Sequence, residues 1–146
     1  MTTVLRIWQR NCPALIISIG GKMKKRGGDR RLIAFIDDNE LLVNGFAEVL
    51  PTLLFGAEVS SYANVEAWEQ DGNPQYEVFI VGQKMGGSFM LGSNGVRLIR
   101  ARFPDALIVG WSADKVYQPV FLAAGADVFV FKLHALENIV ALLLSE

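Results

Sequence analysis

Five short apolar runs, at residues 32–36, 57–62, 76–81, 106–111 and 128–131, are separated by segments of helical character. No other feature constrains this chain as strongly. Strands that alternate with helices must run parallel, with right-handed crossovers and helices on both faces of one sheet. Residues 32–36 are apolar in succession rather than in alternation, which is the pattern of a strand buried on both faces. The expected fold class is therefore α/β: a doubly wound five-stranded parallel sheet in a three-layer arrangement.

Punctuation between the runs agrees. Asp37-Asp38-Asn39 ends the first run, and Asn39 or Asp38 can cap a helix over 40–50 that Pro51 limits. That helix would place Leu42, Phe46, Val49 and Leu50 on one side. A short helix over 65–70 carries Trp68 and stops at the DGNP of residues 71–74. The Gly-rich segment GQKMGGSFMLGSNG leads to a helix over 96–103, and Pro104 stops it. Pro119 suits the first turn of a helix ending at Ala124, with Gly125 as its C-terminal cap. A closing helix covers 136–144, and there is no internal repeat.

The 146 residues suffice for one domain with a real core, and 51% apolar with 20% charged residues is a globular composition. No apolar run reaches the roughly 18 residues of a membrane span, so none is expected. Cys12 is the only cysteine, which excludes a disulfide framework and fits a cytoplasmic setting. Charge is divided sharply. Residues 1–31 hold eight Lys/Arg against Asp29, while residues 32–146 hold six against fourteen Asp/Glu. Residues 1–30 read as a basic, flexible leader with Gly27-Gly28 as a hinge, and Met23 is a candidate start. A tail for a membrane surface or nucleic acid is the lesser reading, and nucleic-acid binding is not expected. The domain proper is 31–146.

In an open α/β sheet, ligands gather beyond the carboxyl ends of the strands. Asp37 and Asp38 follow the first strand, Gly82 the third, Ser112 the fourth and Lys132 the fifth. Two carboxylates, a hydroxyl and a lysine could hold Mg²⁺ and the oxygens of a phosphoryl group. Equally, the acids could cap a helix while Lys132 neutralises them.

These stretches resemble a family. LIAFIDDNE, YEVFIVGQKM, LIVGWSAD and AGADVFVFKL match, in order and spacing, the CheY-like receiver domain of two-component response regulators. The likeness covers about residues 31–146. It implies strand order 2-1-3-4-5, and a phosphoryl-accepting aspartate at the end of the third strand that is both nucleophile and metal ligand. That position is Gly82 here. No Asp or Glu occurs between Glu77 and Asp105, so no neighbour can substitute. Asp37, Asp38, Ser112, Phe129 and Lys132 are kept, while Leu133 stands where a proline is usual. The resemblance therefore implies a pseudo-receiver with no enzymatic activity, no phosphorylation and Mg²⁺ binding weakened or lost at Asp37 and Asp38. Lys132, with Lys84 as a second counter-charge, would neutralise the acidic pair instead.

Such a domain would act by protein interaction, with a signalling partner such as a histidine kinase or an output protein. A homodimer through the fourth helix, fifth strand and fifth helix would use Val116, Tyr117, Pro119, Val120, Phe121, Phe129 and Phe131. Trp111, Tyr117 and Phe129 are its candidate switch or interaction residues. Two alternatives stay open: phosphorylation of Asp37 or Asp38, and a small-ligand sensor with Trp111 as an aromatic wall of the crevice. GSFMLGSN has the glycine spacing of a phosphate loop, but Ser93 stands where the lysine is required. His134, the only histidine, reads as an exposed loop residue.

Overall fold

The computed structural model describes residues 31–54, 56–85 and 90–145. The basic leader of residues 1–30 lies outside the described residues. The elements are β1 (Arg31–Ile36), α1 (Glu40–Leu53), β2 (Ala57–Tyr62), α2 (Val65–Gln70), β3 (Val78–Val81), α3 (Gly92–Arg102), β4 (Leu107–Ser112), α4 (Gln118–Ala124), β5 (Val128–Phe131) and α5 (Ala135–Leu144). Single 3₁₀ turns, Lys115–Tyr117 and Lys132–His134, precede α4 and α5. All strands pair in parallel, in the order β2-β1-β3-β4-β5. This is the doubly wound parallel sheet expected from the apolar runs, in the 2-1-3-4-5, flavodoxin-like order that the resemblance implies.

Strand residues alternate between two cores. Ile33, Phe35, Ile80, Val109 and Trp111 pack with Val43, Phe46 and Leu50 of α1 and Ile139 and Leu142 of α5. Ala34, Ile36, Phe79, Val81 and Ile108 pack with Trp68 of α2, Val96 and Ile99 of α3 and Phe121 of α4. β1, β3, β4 and β5 therefore carry apolar side chains on both faces, which is why those runs lack alternation, whereas the edge strand β2 buries only Ala57.

Local sequence sets most boundaries. Asn39 caps α1, its Oδ1 accepting the Leu42 N–H (3.2 Å), and Asn64 caps α2 by accepting from Ala67 (2.8 Å). Gly125 ends α4 at φ 114°, where a side chain would be strained. Three boundaries differ from the sequence reading by two residues or more. Helix α1 runs through Pro51 to Leu53. A proline in the final turns withdraws one N–H from the ladder, and the Leu54 N–H closes the end on the Leu50 carbonyl (2.7 Å). Strand β3 starts at Val78 rather than 76, because Tyr76 turns out to bond Tyr62. Helix α3 starts at Gly92, four residues before the expected 96.

A clasp fixes the opposite end of the sheet. The Arg100 guanidinium donates to the carbonyls of Pro104 (2.8 Å), Ala106 (2.8 Å) and Gly125 (3.0 Å) and to Asp127 Oδ2 (2.6 Å). It joins α3, β4 and the approach to β5 through one planar group. Among the described residues no helix is long and apolar enough to cross a membrane.

Candidate functional site

Neighbours of β1 and β3 wind in opposite directions, so the ends of these two strands form the switch point of the sheet. Asp37 leaves β1 there and Gly82 leaves β3. Asp37 is held on three sides. Its N–H donates to the Tyr62 carbonyl (3.0 Å), its Oδ1 accepts from the Asn39 N–H (2.9 Å), and its Oδ2 lies 2.7 Å from Lys132 Nζ. The carboxylate is 1% exposed and the lysine side chain 21%. Oδ2 has charge contact rather than a well-directed hydrogen bond, so the pair is an ion pair at the edge of the interior.

Gly82 touches this pair directly. Its N–H donates to the Ile36 carbonyl (2.9 Å). A β-carbon at residue 82 would overlap Asp37 Oδ2, sit 2.9 Å from Asp37 Cγ and lie 3.5 Å from Trp111 Nε1. The Asp37 carboxylate thus stands where a side chain of residue 82 would begin. Beneath it, the Trp111 ring lies 5.1 Å from Lys132 Nζ and is wedged against Phe35 (5.3 Å) and Phe46 (5.5 Å). Trp111 is fully buried, and its Nε1 has no hydrogen-bond partner. It therefore forms a floor under the ion pair and offers no aromatic wall to a ligand.

The other site residues disperse. Asp38 is exposed. Ser112 is nearly buried, and its Oγ accepts the Asp114 N–H (3.1 Å). Period-two alternation turns it to the face opposite Trp111. Lys84 does not approach Asp37; its Nζ lies 5.8 Å above the Tyr117 ring. Phe129 and Phe121 are fully buried with ring centroids 6.0 Å apart, so neither belongs to an exposed face. His134 is exposed, as its loop position suggests.

Gln83 has a role that sequence reasoning missed. It is buried, its carbonyl accepts the Gly92 N–H (2.8 Å), and its Oε1 accepts the Ser93 N–H (2.8 Å). The N-cap residue Leu91 has no polar side chain, so the amide of Gln83 caps α3 from outside. Gly92 packs so closely on the Gly82 carbonyl that a β-carbon there would overlap it. The Asn94 and Gly95 N–H groups donate to the Leu91 carbonyl (3.0 and 3.2 Å). The first four N–H groups of α3 are therefore all spent within the protein. Among the described residues, the helix start that this glycine spacing leads into therefore has no amide free to receive a phosphate.

A phenol network flanks β2. Tyr62 Oη donates to Asp71 Oδ2 (2.6 Å) and meets Tyr76 Oη at 2.8 Å. Burial first, and then these hydrogen bonds, push the Tyr62 phenol well above its ordinary range. A cleft of about 280 Å³ beside it is lined by Asp37, Glu40, Val43, Asn44, Ser61, Tyr62 and Ala63.

The site does not fit Mg²⁺, which needs an octahedron of oxygen ligands. Asp37 Oδ2 is engaged by an ammonium, residue 82 offers no side-chain oxygen, and Gln83 Oε1 is committed to α3. Among the described residues no three acidic, His or Cys side chains are grouped to hold a metal ion.

No protein-family model and no curated protein matches the chain. Solved structures do. The BeF3-activated receiver domain of DrrB aligns with TM-score 0.66 and 20% identity over 80% of this chain and 99% of that one. Response regulator TrrA of Thermotoga maritima, in complex with Mg²⁺ and BeF, aligns at TM-score 0.63 and 23% identity over 77% and 98%. Chemotaxis protein CheY4 of Vibrio cholerae aligns at 0.66 and 18% over 79% and 97%. Likeness at these identities concerns architecture: the chain has the CheY-like fold of response-regulator receiver domains.

Proposed function

We propose that the chain is a signalling domain of the receiver type that takes no phosphoryl group and works by binding other proteins. One observation carries this reading. The acceptor position is Gly82, and the place of its missing side chain is taken by the Asp37 carboxylate, paired at 2.7 Å with Lys132. A phosphoryl group arriving there would find no nucleophile on residue 82 and no vacant lysine. The ion pair supplies internally the contact that a phosphorylated receiver would make to its lysine, so the domain stays in one state. It has no enzymatic activity and requires no cofactor.

Its output then depends on partners, a histidine kinase or an output protein in the cytoplasm. Val120 and Leu136 are exposed on α4 and α5 and support docking along the α4–β5–α5 face. The test is amide NMR with acetyl phosphate or beryllofluoride and Mg²⁺. Unmoved signals at Gly82, Ser112 and Lys132 are expected; Mg²⁺-dependent shifts there would overturn the reading.

A further inference from the structure

Among the described residues the three most exposed large apolar side chains are Leu41 (88%), Leu133 (76%) and Val116 (61%). They come from different parts of the chain, yet all lie at one end of the sheet. Leu41 is in the first turn of α1 after β1, Val116 in the turn after β4, and Leu133 in the turn after β5. An apolar rim at the mouth of the crevice is costly in water and marks a contact surface.

Charge divides the same rim. On the β1 side Glu40 adjoins Leu41, with exposed Asp38 beside it. On the β4–β5 side stand Lys84 and Lys115, both exposed; exposed Asp114 adjoins Lys115, its Oδ1 turned back to accept the Val116 N–H (3.0 Å). Lys84 lies over Tyr117 and Lys115 lies 5.1 Å over Phe131, so each is held by a ring rather than by a carboxylate. The body is otherwise strongly acidic, with six basic residues against fourteen acidic ones over 32–146. Three of those six basic residues lie on this side, Lys132 being turned in to Asp37 while Lys84 and Lys115 stand on the rim.

A surface with an acidic half, a basic half and apolar residues in both is complementary to itself under a two-fold rotation. We propose that a second copy of this chain covers the rim. Glu40 and Leu41 of each protomer meet Lys115, Val116 and Leu133 of the other. This two-fold contact differs from one along α4–β5–α5, because it includes Leu41 of α1. It rests on the reading of the domain as one that takes no phosphoryl group, since a covered mouth keeps a phosphoryl donor out of the crevice. Removal of the three apolar residues from water, with opposite charges in register, would drive the association.

Sedimentation velocity of the full chain over a concentration series tests this. A monomer–dimer equilibrium is expected, and raised salt should weaken it. Leu41→Ser and Leu133→Ser should each weaken the dimer at least tenfold. Both change exposed positions, so the fold should persist in circular dichroism. The decisive arm is a charge exchange. Glu40→Lys places two lysines opposite each other and Lys115→Glu places two glutamates opposite each other, so each variant alone should be monomeric. Mixed in equal amounts, they restore both pairs and should form a 1:1 heterodimer.

A wild type that stays monomeric at millimolar concentration overturns the proposal. So does a dimer insensitive to Leu41 but lost on Val120→Ser or Leu136→Ser, which would place the interface on α4–β5–α5. Failure of the mixture to restore association overturns the pairing. Uptake of phosphate from acetyl phosphate, scored on the same samples, separates the two readings. Uptake by an intact dimer sinks the functional reading and leaves the interface, whereas a monomer without uptake sinks the interface alone.

Discussion

Asp37 and Gly82 leave adjacent strands side by side, and the carboxylate of the first occupies the space where a side chain on the second would begin. The absence of an acceptor is therefore more than a deletion. The neighbouring acid stands in the gap, and Lys132 holds it there at 2.7 Å. The crevice is filled from within.

The filled gap predicts that Gly82 tolerates no side chain. Gly82→Ala should cost about 1–3 kcal/mol, the usual penalty of overpacking a closed site. The new β-carbon must push Asp37 Oδ2 away from Lys132, and Asp37 has no slack because Asn39 holds its other oxygen (2.9 Å). Urea unfolding measures the loss. Gly82→Asp should show the same penalty, and it should bind beryllofluoride only if amide shifts at Lys132 report that the Asp37 pair has opened. A Gly82→Ala variant as stable as wild type would mean that the gap is empty.

The ion pair predicts a steep loss when one partner goes. Lys132→Met leaves a carboxylate that is 1% exposed without its counter-charge, at a cost of about 3 kcal/mol. Adding Asp37→Asn should recover much of that, since no charge then remains buried. A double-mutant cycle with coupling under about 0.5 kcal/mol would show that solvent screens the pair after all.

Strands and caps were legible because their causes are local. Val78–Val81 is buried at every position, so the run shows as apolar in succession. Asn39 caps α1 and Gly125 ends α4 through bonds within a few residues. The start of α3 was hidden because its causes are distant. Glycines count against a helix, yet Gly92 is required by the Gly82 carbonyl and Gly95 by Val65 of α2. The order of residues at the strand ends told which groups meet, and Lys132 as counter-charge to Asp37 followed from it. The side of the sheet did not enter that reading. Period-two alternation applied at Ser112 would have sent Trp111 inward, under the pair, rather than to the crevice wall. Lys84 could not have been placed, because its position over Tyr117 depends on two loops meeting.

The outside cap on α3 predicts a specific weak point. Gln83→Leu keeps the bulk of the side chain but leaves the buried Ser93 N–H without its acceptor (2.8 Å), at a cost of about 1–2 kcal/mol. Exchange of the Ser93 amide should rise more than that of amides in the middle of α3. Gln83→Glu keeps an acceptor at a helix N-terminus and should retain more stability than Gln83→Leu. Equal losses in both variants would make Gln83 a packing residue only.

The phenol network predicts an alkaline limit to stability. In the folded chain Tyr62 holds its proton to a pH above the ordinary phenol range, while in the unfolded chain it titrates near pH ~10. The sign follows from proton counts. Below pH ~10 both states bind the proton, and the contribution of Tyr62 is fully present. As pH rises past that value, the unfolded chain releases a proton that the folded chain keeps, so stability falls. Tyr62→Phe cannot ionise. Its urea midpoint should be lower than wild type at pH 8, because the bonds to Asp71 and Tyr76 are gone, and should fall less between pH 9 and 11. Difference absorbance of the tyrosinate band gives an independent reading, with the Tyr62 signal emerging only as the chain unfolds. A parallel decline in both proteins would mean that other groups set the alkaline limit.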